Sequence, residues 1–136
     1  MVTVTLYGLP ESDSIRNKER FKKYLAVLLS AIKEKLTEHP VLAVDGEDIH
    51  FFPVACYEWS QEAGDDLHRT LYVAIDFSNE YSQISVKNAD IKKLGKEITA
   101  EAETFGNNCF PYGGRVVVGI NKPSKTRLKF SREDLV

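Results

Sequence analysis

The chain is poor in the residues that usually announce a function. Its 136 residues hold two cysteines, one tryptophan, one methionine and five prolines. Cys56 and Cys109 form no C-x-x-C pair, and no cluster has zinc spacing, so neither a redox motif nor a metal site is expected. The bland expectation is two free thiols in a reducing compartment; the alternative is a single disulfide between them. No basic excess is present: the net charge is −2, which argues against a protein that coats nucleic acid. The first helical pattern is broken by Lys33 and Lys35, far short of the roughly 20 apolar residues that a membrane span needs. The start carries no basic segment followed by an apolar one, so no signal peptide is read and a cytoplasmic protein is expected. No G-x-G-x-x-G or phosphate-binding loop occurs. No cofactor is expected.

What is present is periodicity. Val2-Thr3-Val4-Thr5-Leu6-Tyr7 alternates with period two, the mark of a strand with one buried face. Gly8-Leu9-Pro10 is expected to stop it. Ser12, Asp13 and Ser14 each offer an oxygen to cap the next helix. There Phe21, Leu25, Leu28, Leu29, Ile32 and Leu36 recur at steps of three and four, lining one face of a long helix. His39-Pro40 ends it, because a residue before proline avoids the α region. Ile49 to Trp59 reads as an aromatic strand, with an edge or a bulge at Pro53, which cannot donate to a ladder. A polar, acidic loop follows over residues 61–67.

The phrase then repeats. Leu71, Val73, Ile75 and Phe77 share one face of a strand, and Tyr72, Ala74 and Asp76 the other. A second helix gathers Ile91, Leu94, Ile98, Ala102 and Phe105 on one side, with Gly106 at its expected C′ position. Arg115 to Asn121 is the last core strand. The order is therefore β-α-β-β-α-β. The expected architecture is α+β: a four-stranded mixed sheet with two helices packed on one face, residues 1–122 forming one domain. Residues 123–136 form a basic tail, in which Thr126 to Phe130 suit a short extra strand and the charge suits contact with a neighbouring subunit.

Several smaller constellations have bland readings. Glu58, Glu62, Asp65, Asp66 and His68 offer metal ligands, but their spacing matches no cation loop, and an acidic solvated turn explains them better. Cys109 lacks an adjacent base and reads as an inert thiol. Gly113-Gly114-Arg115 suits an anion cradle, yet a plain turn before a strand accounts for it.

The element order and spacing resemble the tautomerase superfamily, the fold of macrophage migration inhibitory factor. The resemblance spans nearly the whole chain: a strand at the extreme start, a long helix, the aromatic segment from Asp48-Ile49-His50-Phe51 to Tyr57-Glu58-Trp59, then strand, Lys-rich helix and valine strand. It implies a homo-oligomer, most naturally a trimer, with a small-molecule pocket between subunits. Members use an N-terminal proline amine as general base. This chain begins Met1-Val2, so a Val2 amine bared by removal of Met1 would take that role, starting from an ordinary α-amino pKa of about 7.7–8.0. The resemblance places Tyr57, Trp59 and Arg115 at the pocket mouth, Arg115 as a fork for a substrate carboxylate. The implied activity is proton transfer on, or binding of, a small carbonyl or carboxylate compound. Whether the chain is an enzyme is left open.

A second, fainter resemblance is to ferredoxin-like domains, including the RNA recognition motif, carried by Leu6-Tyr7-Gly8-Leu9-Pro10 and by Leu71 to Phe77. It implies a non-enzymatic module that uses its open sheet face, with Tyr7 and Tyr72 as stacking rings for nucleic acid or as contacts for a protein.

Overall fold

The computed structural model describes residues 1–10, 18–56, 70–82, 84–109, 115–122, 126–131 and 135. Strand β1 (Val2–Pro10) leads to helix α1 (Lys18–Thr37), strand β2 (Ile49–Cys56), strand β3 (Thr70–Phe77), helix α2 (Asn88–Cys109), strand β4 (Arg115–Lys122) and strand β5 (Thr126–Ser131). Single turns of 3₁₀ helix occupy Gly46–Asp48 and Asn79–Tyr81. The expected capping residues 12–14 and the acidic loop 61–67 lie outside the described residues.

The sheet order is β2-β1-β3-β4-β5. β1 runs parallel to β2 and antiparallel to β3; β3 runs parallel to β4, and β4 antiparallel to β5. Each helix thus joins two parallel strands that are immediate neighbours. This departs from the ferredoxin-like alternative, a split β-α-β unit in which another strand sits between the pair. The two β-α-β units meet at the antiparallel β1–β3 ladder, so an approximate twofold normal to the sheet relates them. Such an axis puts both helices on the same face, as their shared core confirms.

That core follows the periodicity. Val2, Val4 and Leu6 from β1, Leu71, Val73, Ile75 and Phe77 from β3, and Val116, Val118 and Ile120 from β4 point to the helices and are buried. Leu28, Ile32 and Leu36 of α1 and Ile91, Leu94, Ile98, Ala102 and Phe105 of α2 close over them. Each such aliphatic side chain contributes about 1.5–3 kcal/mol when fully buried. The helices also touch each other: the rings of Phe21 and Phe105 meet edge to face at 5.8 Å.

Three details differ from the sequence expectation. The sheet has five strands, because residues 126–131 pair with β4 of their own chain. Phe130 fixes that strand: it is buried in the common core, with its ring against Gly95 of α2. Second, β1 does not stop at Gly8. It runs to Pro10 through an irregular register between Tyr7 and Leu9. Gly8 has φ +88°, a conformation costly for any residue with a Cβ. Third, α2 does not end at Gly106, which is buried within the helix; the last turn reaches Cys109, where the Asn108 side chain donates to the Thr104 carbonyl at 2.8 Å. Pro53 lies on a sheet edge, one of the two settings expected for it, and introduces no bulge. It pairs in register with Leu6 and is accommodated because β2 is an edge strand.

Candidate functional site

The face of the sheet away from the helices is where the chain leaves polar and aromatic side chains together. The ladder registers set them in three rows across the strands. The first holds His50, Thr3, Asp76 and Asn121; the second Phe52, Thr5, Ala74, Gly119 and Lys129; the third Val54, Tyr7, Tyr72, Val117 and Ser131. The β1–β2 corner is apolar and exposed: Tyr7 retains 47%, Phe52 51% and Val54 42% of its accessible surface. The rings of Tyr7 and Tyr72 lie 6.2 Å apart.

The other half of this face is polar. Tyr72, Asp76, Asn121 and Lys129 line an open hollow of ≈ 730 Å³. Asn121 donates through Nδ2 to Asp76 Oδ1 at 2.7 Å. Gly119 sits in the next row, between Ala74 and Lys129. The Tyr72 phenol lies across β4 so closely that a Cβ on Gly119 would collide with its hydroxyl.

A second polar cluster closes the end of the sheet where β1 begins. The Met1 ammonium donates to Ser78 Oγ at 2.7 Å and pairs with Asp48 at 3.1 Å and Glu80 at 3.4 Å. Asp48 also accepts from the Tyr81 hydroxyl at 2.8 Å. Desolvation pushes the amine pKa down, but the hydrogen bond and charge of Asp48, then those of Glu80, outweigh it and hold the amine above its ordinary value of 8.0. The Tyr81 hydrogen bond, followed by that of the amine, holds the Asp48 carboxyl below its usual range. Burial and Asp48 push the Tyr81 phenol up to about 12. The amine carrying Met1 is therefore a held cation, the opposite of a base poised near neutrality.

Val2, the expected bearer of the catalytic amine, begins β1 with its side chain fully buried, paired with Ile49 and Phe77. Arg115 opens β4 opposite Thr70; its side chain lies outside the described part. Val2 pairs with Phe77, seven residues farther along β3, so the two positions are about 23 Å apart along the sheet at ~3.3 Å per residue. Tyr57 and Trp59 lie outside the described residues, beyond the Cys56 end of β2. Within one chain the backbone therefore keeps Val2 and Arg115 apart.

Burial pushes the Cys109 thiol up to about 11, against a partial opposing pull from Arg20, which suits an inert thiol. Among the described residues, no group of three or more His, Cys, Asp or Glu side chains is placed to hold a metal ion. The acidic loop with Glu58, Glu62, Asp65, Asp66 and His68 lies outside them. No helix among the described residues is long and apolar enough to cross a membrane.

Sequence reasoning reached Tyr72 and Asp76 through the alternation of β3, but not their partners. Lys129 was submerged in a run of bases, and Asn121 in a strand end. The signal that points to them is Gly119, a glycine inside the run Val116-Val117-Val118-Gly119-Ile120, where a bare position often marks a close approach. No family model matches the chain, and no curated protein or solved structure shows significant similarity to it.

Proposed function

We propose that this chain is a tautomerase-like homo-oligomer, a trimer, that binds a small carbonyl or carboxylate compound at a subunit interface. The observation that carries the reading is the uncovered apolar corner of the sheet. Tyr7, Phe52 and Val54 cluster on the face that both helices leave bare. Contiguous exposed apolar surface of this kind marks an interaction site. Two unsplit β-α-β units, the building block on which the resemblance rests, add support. So does the separation of Val2 from Arg115, which a pocket shared between copies bridges.

Proton transfer and binding are separated by one residue. With Met1 in place, the terminal amine is held protonated by Asp48 and Glu80, and the protein binds without catalysing. With Met1 removed, the Val2 amine is the base, and Tyr57, Trp59 and Arg115 of an adjoining copy hold the ligand.

The test is proton exchange followed by NMR in D₂O, using 2-oxo acids and enolisable ketones, on protein whose start has been defined by intact mass. Deuterium entering the carbon beside the carbonyl, only when Met1 is absent, is expected of the catalytic form. Ligand signals broadened by the protein without exchange are expected of the form that keeps Met1. Neither exchange nor broadening with any compound of the two classes would overturn the reading.

A further inference from the structure

The polar half of the open sheet face has a chemistry of its own. Its hollow of ≈ 730 Å³ lies within the roughly 300–1,000 Å³ range of ligand clefts. One wall is the Asp76–Asn121 pair. The 2.7 Å bond uses one carboxylate oxygen and one amide hydrogen, and the pair also carries a second carboxylate oxygen and the amide oxygen. Both are acceptors. The facing wall is Lys129, an exposed ammonium on β5. The third is Tyr72, an aromatic ring with a hydroxyl, held low across β4 because Gly119 has no side chain.

Opposite charges therefore face each other across a gap whose scale the ladder sets. Asp76 stands in the first row on β3 and Lys129 in the second row on β5, two strands away. At about 4.8 Å between strands and ~3.3 Å per residue, their Cα atoms are about 12 Å apart. Side chains stand roughly perpendicular to a sheet, so the carboxylate and the ammonium rise side by side on that scale and leave the gap between them open. What remains suits a small molecule with a positive donor at one end and an anion a few bonds away.

We infer that Tyr72, Asp76, Asn121 and Lys129 form a binding site for a small zwitterion of the α-amino acid class. Its ammonium is held by Asp76 and the Asn121 amide oxygen. Its carboxylate is held by Lys129, and its side chain lies along the Tyr72 ring. A phosphodiester chain is disfavoured at the same place, because the Asp76 carboxylate repels it. All four side chains come from β3, β4 and β5 of one chain, so the site is complete without a second copy; Tyr72 borders the Tyr7–Phe52–Val54 corner, its ring 6.2 Å from that of Tyr7, while Asp76, Asn121 and Lys129 lie beyond it.

The experiment titrates the twenty common α-amino acids, one at a time, into isotope-labelled protein and follows backbone amide signals, with acetate and methylamine as single-charge controls. At least one amino acid is expected to shift the signals of Tyr72, Ala74, Asn121 and Lys129 with a millimolar or tighter Kd. The controls are expected to bind at least tenfold more weakly. Asp76→Asn and Lys129→Gln, both changes at exposed positions, are each expected to weaken binding tenfold or more while the far-UV spectrum stays unchanged. Phe52→Asp, designed to break the oligomer, is expected to leave it intact; loss there would tie the site to the interface and overturn its independence. The inference fails if no amino acid shifts these signals, or if removing either charge leaves Kd unchanged. Light scattering on the same samples reports the oligomer separately, so the two proposals fail by different observations.

Discussion

Replacing Gly119 by alanine should have opposite signs in two backgrounds, and the difference measures how firmly Tyr72 is laid across β4. A Cβ at position 119 would meet the Tyr72 hydroxyl first, with the ring Cζ only 3.1 Å away. Overpacking of this kind costs roughly 1–3 kcal/mol. Alanine recovers about 0.5–1 kcal/mol of the conformational entropy that a strand glycine loses on folding. Gly119→Ala alone is therefore expected to destabilise by about 0.5–2 kcal/mol. In a Tyr72→Ala background the obstruction is gone, and the same change is expected to stabilise by about 0.5–1 kcal/mol. The coupling is then about 1–3 kcal/mol, well within what a double-mutant cycle resolves. Tyr72→Phe removes the nearest atom and should recover part of the coupling. Urea unfolding followed by circular dichroism supplies all four corners of the cycle. Equal effects of Gly119→Ala in both backgrounds would refute the geometry of the hollow and the role given to Tyr72.

Three further outcomes follow from the fold. Phe130→Ala should cost about 3–5 kcal/mol in the same assay, the range for emptying a buried phenylalanine site, because Phe130 anchors β5 into the core; a loss under 1 kcal/mol would mean that β5 is only loosely attached. His39→Ala should cost about 1–2 kcal/mol, since Nδ1 accepts from the Val41 and Leu42 amides at 3.2 and 3.1 Å and would leave both without that partner; hydrogen exchange at those two amides should rise. The Met1–Asp48 contact gives a pH dependence with two limbs. The amine's raised pKa contributes stability that is present below 8.0 and lost as pH climbs through the folded value, while the lowered pKa of Asp48 contributes stability present above 3.8 and lost as pH falls through its folded value. Thermal melts of wild type against Asp48→Asn should show both limbs flattened in the variant; parallel curves would refute the contact.

Most of the fold was legible because the buried faces carry strict periodicity. Val2-Val4-Leu6 and Leu71-Val73-Ile75-Phe77 can bury one face only as strands, and Leu28-Ile32-Leu36 only as a helix. The termini were less legible, for local reasons that tertiary packing overrode. Gly106 reads as a helix stop, yet its burial beside Phe105 carries α2 one turn further. Gly8 reads as a strand stop, yet its φ of +88° lets β1 continue past an irregularity. β5 was half-visible: Thr126 to Phe130 suited a short strand, but the surrounding bases suggested contact with a neighbouring subunit, and only pairing with β4 shows where the strand lies. The open-face hollow was least legible, because Asp76, Asn121 and Lys129 come from three strands and meet only through register. The Met1 contact was hidden for the same reason, since Asp48, Ser78 and Glu80 are distant in sequence.

The account rests most heavily on copies of the chain covering the bare apolar corner of the sheet, and light scattering across a hundredfold range of concentration tests that directly. A mass three times the 15.4 kDa chain, falling to that of one chain with Phe52→Asp, is the expected result. A wild-type mass of 15.4 kDa at every concentration would contradict it.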